Sequence, residues 1–560
     1  MKQIRYNTLA VLTMMLMLFV GCTEDNSMTE ILFDDTSDSA QQQVELDEVA
    51  RALTAIPGIS NVEMEYAKSV DDDDEEESSQ QKLVIGYYFY FQQPIDHYHP
   101  DRGTYDQQCH LTFKGYENNV VVLTNGYEMN TYYTDLSKQL DANQLSIEHR
   151  YFGKSLPEPF ENLNMTYLNA DQQAHDIHSI VSTLKAHLFK TGKWASTGTS
   201  KSGITTALQA YYCDLNDWQD FDVYVPFCAP FMPGTTLSDG NYSCNDITTG
   251  TYLKDVCGSG YPAGSDEAIA YENLRRIPVL VCTNKNIRDM AIRACYNSNP
   301  GKYSKVVEQY NSQSQMSTGD LTKDLTALAI NIYYNALFGK FSYIPFTVWA
   351  WLVPNLTPLE TGEATYTQWS NFMSFYVMNE DDLDTYLKGL MAEAKHRGST
   401  TRLATEELWT FLLQRRQSPS TPYYVQAFME LGANDYDYSM VNGTDYLTET
   451  ECRKVNYLFT TQYTYSQAAS EGIYKQNNGK LMTDFLNWVK TETTQPIIFV
   501  YARNDPWTGA AISDQVAQSN PMIEKVVDST ATHNDVFLER KVYTIESEQK
   551  IVNALNRFLQ

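Results

Sequence analysis

The chain has 560 residues, with 41 Lys+Arg against 70 Asp+Glu and a net charge of −29. Hydrophobic residues make up 42% and aromatics 13%, enough to bury a sizeable core, which excludes global disorder. The acidic balance excludes general nucleic-acid binding and charge-driven docking on anionic lipid.

The first residues read as a targeting segment. Lys2 and Arg5 form a short basic start, and Leu9 to Val20 is an apolar stretch too short for a stable membrane span. It closes on Leu18-Phe19-Val20-Gly21-Cys22, a bacterial lipobox pattern with Phe19 at a usually aliphatic place. Cleavage before Cys22 and lipidation of that Cys are expected. Residues 1–21 are then a signal peptide and 22–41 an acidic linker. The mature protein is expected in the bacterial cell envelope, held to the membrane by its lipid alone. No other window reaches the ~18 consecutive apolar residues of a span.

Folding is expected to begin near residue 42. Val44, Val49, Leu53 and Ile56 predict a short helix that ends at Pro57-Gly58. Asn61 to Ala67 and Lys82 to Phe91 predict a hairpin with a disordered acidic loop over 70–80, where Asp71 to Glu77 repel one another. Val120 to Thr124 is a continuous apolar run, the pattern of a buried parallel strand. Leu145 to His149 predicts another strand, and Ala170 to Leu188 a helix with Ile177, Ile180, Val181 and Leu184 on one face.

Lys193 to Thr197 is a strand that runs into Gly198-Thr199-Ser200-Lys201-Ser202-Gly203, and Ile204 to Tyr212 then reads as a helix. Strand, tight turn with Ser, then helix is the setting of a nucleophile elbow. Gly198 supplies the first small residue. Ser202 stands where a second Gly is expected. A residue next to Ser200 on such a turn points away from it, so the backbone N–H of Lys201 is the expected oxyanion donor. Tyr127, just past the Val120 to Thr124 strand, is the candidate for the second N–H.

Phe221 to Phe227 and Gln495 to Tyr501 predict further strands. Asp505 follows the latter, where the active face of an open α/β sheet lies. Val526-Val527 is a shorter strand, and His533 follows it. The order Ser200, Asp505, His533 is that of an α/β-hydrolase triad, with Asp528 and Asp535 as alternative acids. Eight Cys remain after Cys22, an even number that allows disulfides in an exported protein. Neither C-x-x-C nor H-E-x-x-H occurs, so no metal or other cofactor has sequence support.

Four segments together resemble serine exopeptidases: Gln93-Pro94-Ile95-Asp96-His97, Glu148-His149-Arg150-Tyr151-Phe152-Gly153, the Gly198 to Gly203 turn, and Asn504-Asp505-Pro506-Trp507. The likeness is to the prolyl carboxypeptidase and dipeptidyl peptidase II family. Ser200-Lys201-Ser202 is nearer still to the secreted bacterial tripeptidyl aminopeptidase family. The resemblance implies an α/β-hydrolase core in two halves, 42–230 and 486–560, with a large, mainly helical cap over 231–485. It implies Ser200, Asp505 and His533 as the triad, and a peptide substrate. Within the cap, Asp320 to Leu337, Glu380 to Ala394 and Glu406 to Arg416 have helical patterns.

An aminopeptidase needs a carboxylate for the substrate's α-amine, and Glu128, Glu406 and Glu407 are candidates. Glu148 to Arg150 and Asp96-His97 are expected to be structural. A prolyl-type carboxypeptidase, an esterase and an inactive surface-binding lipoprotein are the alternative functions.

Overall fold

The computed structural model describes residues 47–67, 84–157, 165–236, 262–295, 318–343, 421–432, 438–452, 477–533 and 543–560, with 242–243, 245–246, 434–435 and 535. Cys22, the linker, the acidic loop over 70–80, the helical patterns at 380–394 and 406–416, and Glu406 and Glu407 lie outside them.

Helix α1 (Glu48–Thr54) buries Val49, Ala50 and Leu53 and stops before Gly58. The hairpin follows as β1 (Ile59–Tyr66) and β2 (Val84–Pro94), antiparallel, with Ile59 opposite Phe91. β3 (Thr104–Thr112) adds to β2 antiparallel. β4 (Val120–Thr124) is wholly buried, as its apolar run requires in a sheet covered on both faces.

After helix α2 (Asp135–Gln139) comes β5 (Asn143–Ile147), two residues earlier than the apolar pattern suggests. The reason is polar satisfaction within the core. Asn143 Oδ1 accepts the N–H groups of Lys114 and Gly115 at 2.8 and 3.1 Å, and Gln144 Oε1 accepts from Thr134 N at 2.8 Å. Both side chains are therefore buried at no lost hydrogen bond. Glu148 to Arg150 leave the strand instead.

Helix α3 (Ala170–His187) is capped by the Asn169 side chain, which accepts from Gln172 N. Its apolar face buries Ile177, Ile180, Val181 and Leu184, each worth ~1.5–3 kcal/mol. β6 (Trp194–Thr199), helix α4 (Lys201–Leu215) and β7 (Val223–Phe227) follow. The chain closes the sheet with β8 (Ile497–Asn504) and β9 (Ile523–Thr532).

The strand order is β1-β2-β3-β5-β4-β6-β7-β8-β9. β3 runs against β5, and every pairing from β5 through β9 is parallel. This order, with crossover helices between parallel strands and with β1 and β3 reversed at one side of the sheet, is an α/β-hydrolase sheet. Val121, Ala195, Val225, Ile498 and Val500 pack on one face with Ile551 and Leu555 of the last helix, Ile545–Phe558. β9 is far longer than Val526-Val527, because pairing with β8 supplies the backbone hydrogen bonds that its polar residues do not signal.

The described parts of 231–485 are mainly helical: Asp266–Thr283, Lys285–Cys295, Leu321–Tyr343, Thr421–Gln426 and Lys480–Thr491. No helix among the described residues is long and apolar enough to cross a membrane. Cys109, Cys213, Cys228 and Cys282 are buried thiols outside any disulfide.

Candidate active site

Ser200 sits on the turn between β6 and α4 with φ 60° and ψ −124°. A non-glycine residue with this backbone is strained, and the surrounding structure must hold it there. Ser200 N donates to Phe227 O at 2.9 Å, tying the turn to the end of β7. A Cβ on Gly198 would meet the Ser202 carbonyl carbon at 2.6 Å, so only glycine lets strand and helix come this close.

Asp505 lies at the C-terminal end of β8 and is fully buried. Its side chain accepts from Trp507 N at 2.9 Å and pairs with His533 Nδ1 at 2.8 Å. With Nδ1–H donating to the carboxylate, His533 Nε2 is left as a base. His533 is 9% exposed and follows the end of β9, and the Trp507 ring lies 6.3 Å from its own. Both alternative acids are committed elsewhere. Asp528 accepts from Thr530 N, Ala531 N and Thr544 N at 2.7–2.9 Å, and burial is outweighed by these bonds, which hold it down at about 2. Asp535 accepts from Thr532 N at 2.7 Å.

Cys228 adjoins the pair. Ligand-type atoms of Cys228, Asp505 and His533 lie within 4.8 Å of one another, the one such group among the described residues. Burial, then the Asp505 charge, pushes the Cys228 thiol well up, so it stays protonated.

The Glu148 to Arg150 segment supports the loop after β4. Glu148 accepts from Met129 N at 2.9 Å, Lys154 N at 2.9 Å and Ser155 Oγ at 2.7 Å. His149 N donates to Tyr127 O at 3.2 Å. Arg150 forms a buried bidentate pair with Asp176 at 2.7 and 2.8 Å, and His97 and Tyr105 complete the carboxylate's bonds. Burial alone would raise Asp176, but Arg150 and His97 hold it below the ordinary carboxylate range. These side chains form the buried charged network expected of this segment.

The Lys201 side chain has a partner of its own besides the backbone N–H singled out by the sequence. Its side chain is 2% exposed, and Nζ donates to Gly126 O. Nζ also stands 5.5 Å from the Tyr127 ring centroid and 5.0 Å from that of Phe152. Glu430, on the π-helical turn Ala427–Leu431, was not signalled by any motif. It accepts from Ala170 N at 2.7 Å and Gln426 Nε2 at 3.0 Å. Burial pushes it up to about 7, against the pull of these bonds and of Lys201. Glu128 is exposed.

Residues 75–251 match the family model described as PS-10 peptidase S37. This span contains Ser200 but neither Asp505 nor His533. The prolyl tri/tetrapeptidyl aminopeptidase of Streptomyces mobaraensis is 34% identical over 125 residues, 22% of this chain and 25% of that protein. The serine protease vicPb of Bipolaris victoriae (strain FI3) is 30% identical over 166 residues, 23% of this chain and 31% of that protein. The chain thus spans a quarter to a third of the length of the curated relatives it matches. The resemblance to serine peptidases read from the motifs is found again at this level. Among solved structures, proline iminopeptidase of Mycobacterium smegmatis aligns at TM-score 0.34 and 9% identity, covering 84% of this chain and 98% of that one. An α/β fold family hydrolase from Bacillus anthracis str. Sterne aligns at TM-score 0.28 and 11% identity, covering 84% and 98%.

Proposed function

We propose that the protein is an exported serine exopeptidase, an aminopeptidase that releases di- or tripeptides from free N-termini through an acyl-enzyme. One observation carries the reading: His533 Nδ1 pairs at 2.8 Å with the buried Asp505 carboxylate, in a sheet whose strand-to-helix turn holds Ser200 at φ 60°. The match of residues 75–251, Ser200 among them, to the PS-10 peptidase S37 model supports the amide-cleaving reading over an esterase.

Ser200 Oγ attacks the scissile carbonyl carbon, and its proton passes to His533 Nε2. The oxygen that becomes negative receives the backbone N–H groups of Lys201 and Tyr127. His533 then gives its proton to the leaving amine, and the acyl-enzyme remains on Ser200. Water repeats the sequence and frees the peptide acid. Asp505 orients the imidazole and stabilises its charged form. The cap expected over 231–485 limits how much chain fits on one side of the scissile bond. Cys22 bears the lipid that holds the enzyme to the envelope.

The test combines Ser200→Ala with a peptide panel. Ser200→Ala is expected to keep the fold, to lose labelling by a fluorophosphonate probe, and to lose about 10⁶ in kcat. Peptidase activity within tenfold of the parent removes Ser200 as nucleophile. N-acetylation of the substrate is expected to cost roughly 30-fold or more, the loss of a desolvated charge pair at the α-amine. Equal rates on acetylated and free peptides reject the aminopeptidase. Turnover confined to free C-terminal carboxylates replaces it with a carboxypeptidase.

A further inference from the structure

We propose that Lys201 is a positioning residue: with the Ser202 hydroxyl, its Nζ clamps the Gly126–Tyr127 peptide and so aims the Tyr127 N–H at the oxyanion formed on Ser200's substrate. The inference rests on the reading of Ser200 as nucleophile.

The two residues that follow Ser200 grip the two polar groups of one glycine. Gly126 N–H donates to Ser202 Oγ at 2.8 Å, and Lys201 Nζ donates to Gly126 O. In a trans amide the C=O and the following N–H point in opposite directions, and no cis peptide occurs among the described residues. Holding Gly126 O on one side therefore sets the direction of Tyr127 N–H on the other. The next peptide is held too, because His149 N donates to Tyr127 O at 3.2 Å. The grip needs glycine at 126. A Cβ there would meet Ser202 N at 2.7 Å and the Lys201 carbonyl carbon at 2.9 Å.

Packing alone gives no reason for a lysine here. A buried amine is costly unless something takes its N–H bonds. Burial pushes the Lys201 amine well below the usual lysine range, and Glu430 acts against this. The clamp holds in either protonation state, because the ammonium and the neutral amine both donate N–H. The faces of Tyr127 and Phe152 line the remaining space around Nζ. Ser202 has its reason as well. A glycine at that position would leave Gly126 N–H without its Oγ acceptor.

The experiment compares wild type, Lys201→Met, Ser202→Ala and Ser200→Ala on an N-terminally free chromogenic peptide and on a fluorophosphonate probe. Misplacing one oxyanion donor costs about 10²–10³ in kcat. Lys201→Met is expected to fall by about 10² in both kcat and labelling rate, with KM within roughly threefold and an unchanged shape of the pH–rate profile. Ser202→Ala is expected to lose about tenfold in kcat, also at constant KM. Lys201→Met activity within threefold of wild type overturns the clamp. So does a pH–rate limb that moves in Lys201→Met, since Lys201 would then be the base. If circular dichroism shows Lys201→Met unfolded, Ser202→Ala decides, and a kcat within twofold of wild type overturns the clamp. Ser200→Ala separates the two readings. Persistent labelling of that variant sinks the nucleophile, whereas wild-type labelling of Lys201→Met beside an unlabelled Ser200→Ala sinks only the clamp.

Discussion

Asp505 divides its two oxygens between the backbone and the imidazole, and this division makes its role testable. One oxygen takes Trp507 N–H at 2.9 Å and fixes the carboxylate, so the other meets His533 Nδ1 at 2.8 Å. Asp505→Asn retains an oxygen for Trp507, and the fold is expected to survive. The amide presents N–H to Nδ1 and favours the wrong tautomer, so kcat is expected to drop about 10⁴-fold. Steady-state kinetics with a melting curve check both halves. Activity within tenfold of the parent would exclude Asp505 as the partner of the base. The protonated Cys228 thiol at the same carboxylate is too deeply buried to compete as a nucleophile.

At the level of elements, two charged contacts hold the site's surroundings in different ways. The Arg150–Asp176 pair joins the segment after β5 to helix α3, with both side chains fully buried. Removing one partner of such a pair typically costs about 3–5 kcal/mol, because the other charge is left uncompensated. Glu430 joins the turn Ala427–Leu431 to the first N–H of α3, and it is pushed up to about 7 by burial. An acid raised in the folded state binds more protons there than in the unfolded chain. Stability from this contact is therefore full below about 4.5, falls as pH rises towards 7, and levels off above. Glu430→Gln cannot ionise and should flatten that window. Thermal melts of both proteins at pH 5 and pH 8 measure the difference. A parent that loses no more stability than Glu430→Gln over this range contradicts the account.

For the whole molecule, the net charge of −29 is unevenly placed, with 18 acidic against 2 basic residues between 22 and 80. A strongly acidic leading segment is repelled by anionic headgroups, so the proposed lipid on Cys22, and not surface charge, is the anchor that the proposal requires. Cys22→Ser is expected to move the protein from the membrane to the soluble envelope fraction. Fractionation followed by immunoblotting reads this directly, and a variant that stays with the membrane shows another anchor.

Much of the fold was legible because its signals are local. Val120 to Thr124 is apolar throughout, α3 repeats its aliphatic residues at helical spacing, and Gly198 marks a tight turn before a helix. Strand and turn context, chain order and the family motifs together pointed to Ser200, Asp505 and His533 as the candidate triad, each placed just after a strand. Contacts between distant segments carry no such signal. β5 begins at Asn143 because partners near Lys114 and Thr134 satisfy its polar side chains. Asp505 rather than Asp528 faces His533 because Asp528 is bound by the backbone around Thr530 and Thr544. Lys201 reads on paper as a residue whose backbone N–H alone matters beside a nucleophile, and Glu430 as one acid among 70. Only folding brings the first beneath Gly126 and the second to the start of α3, since burial and hydrogen bonding across 75 and 260 residues are properties of the packed chain.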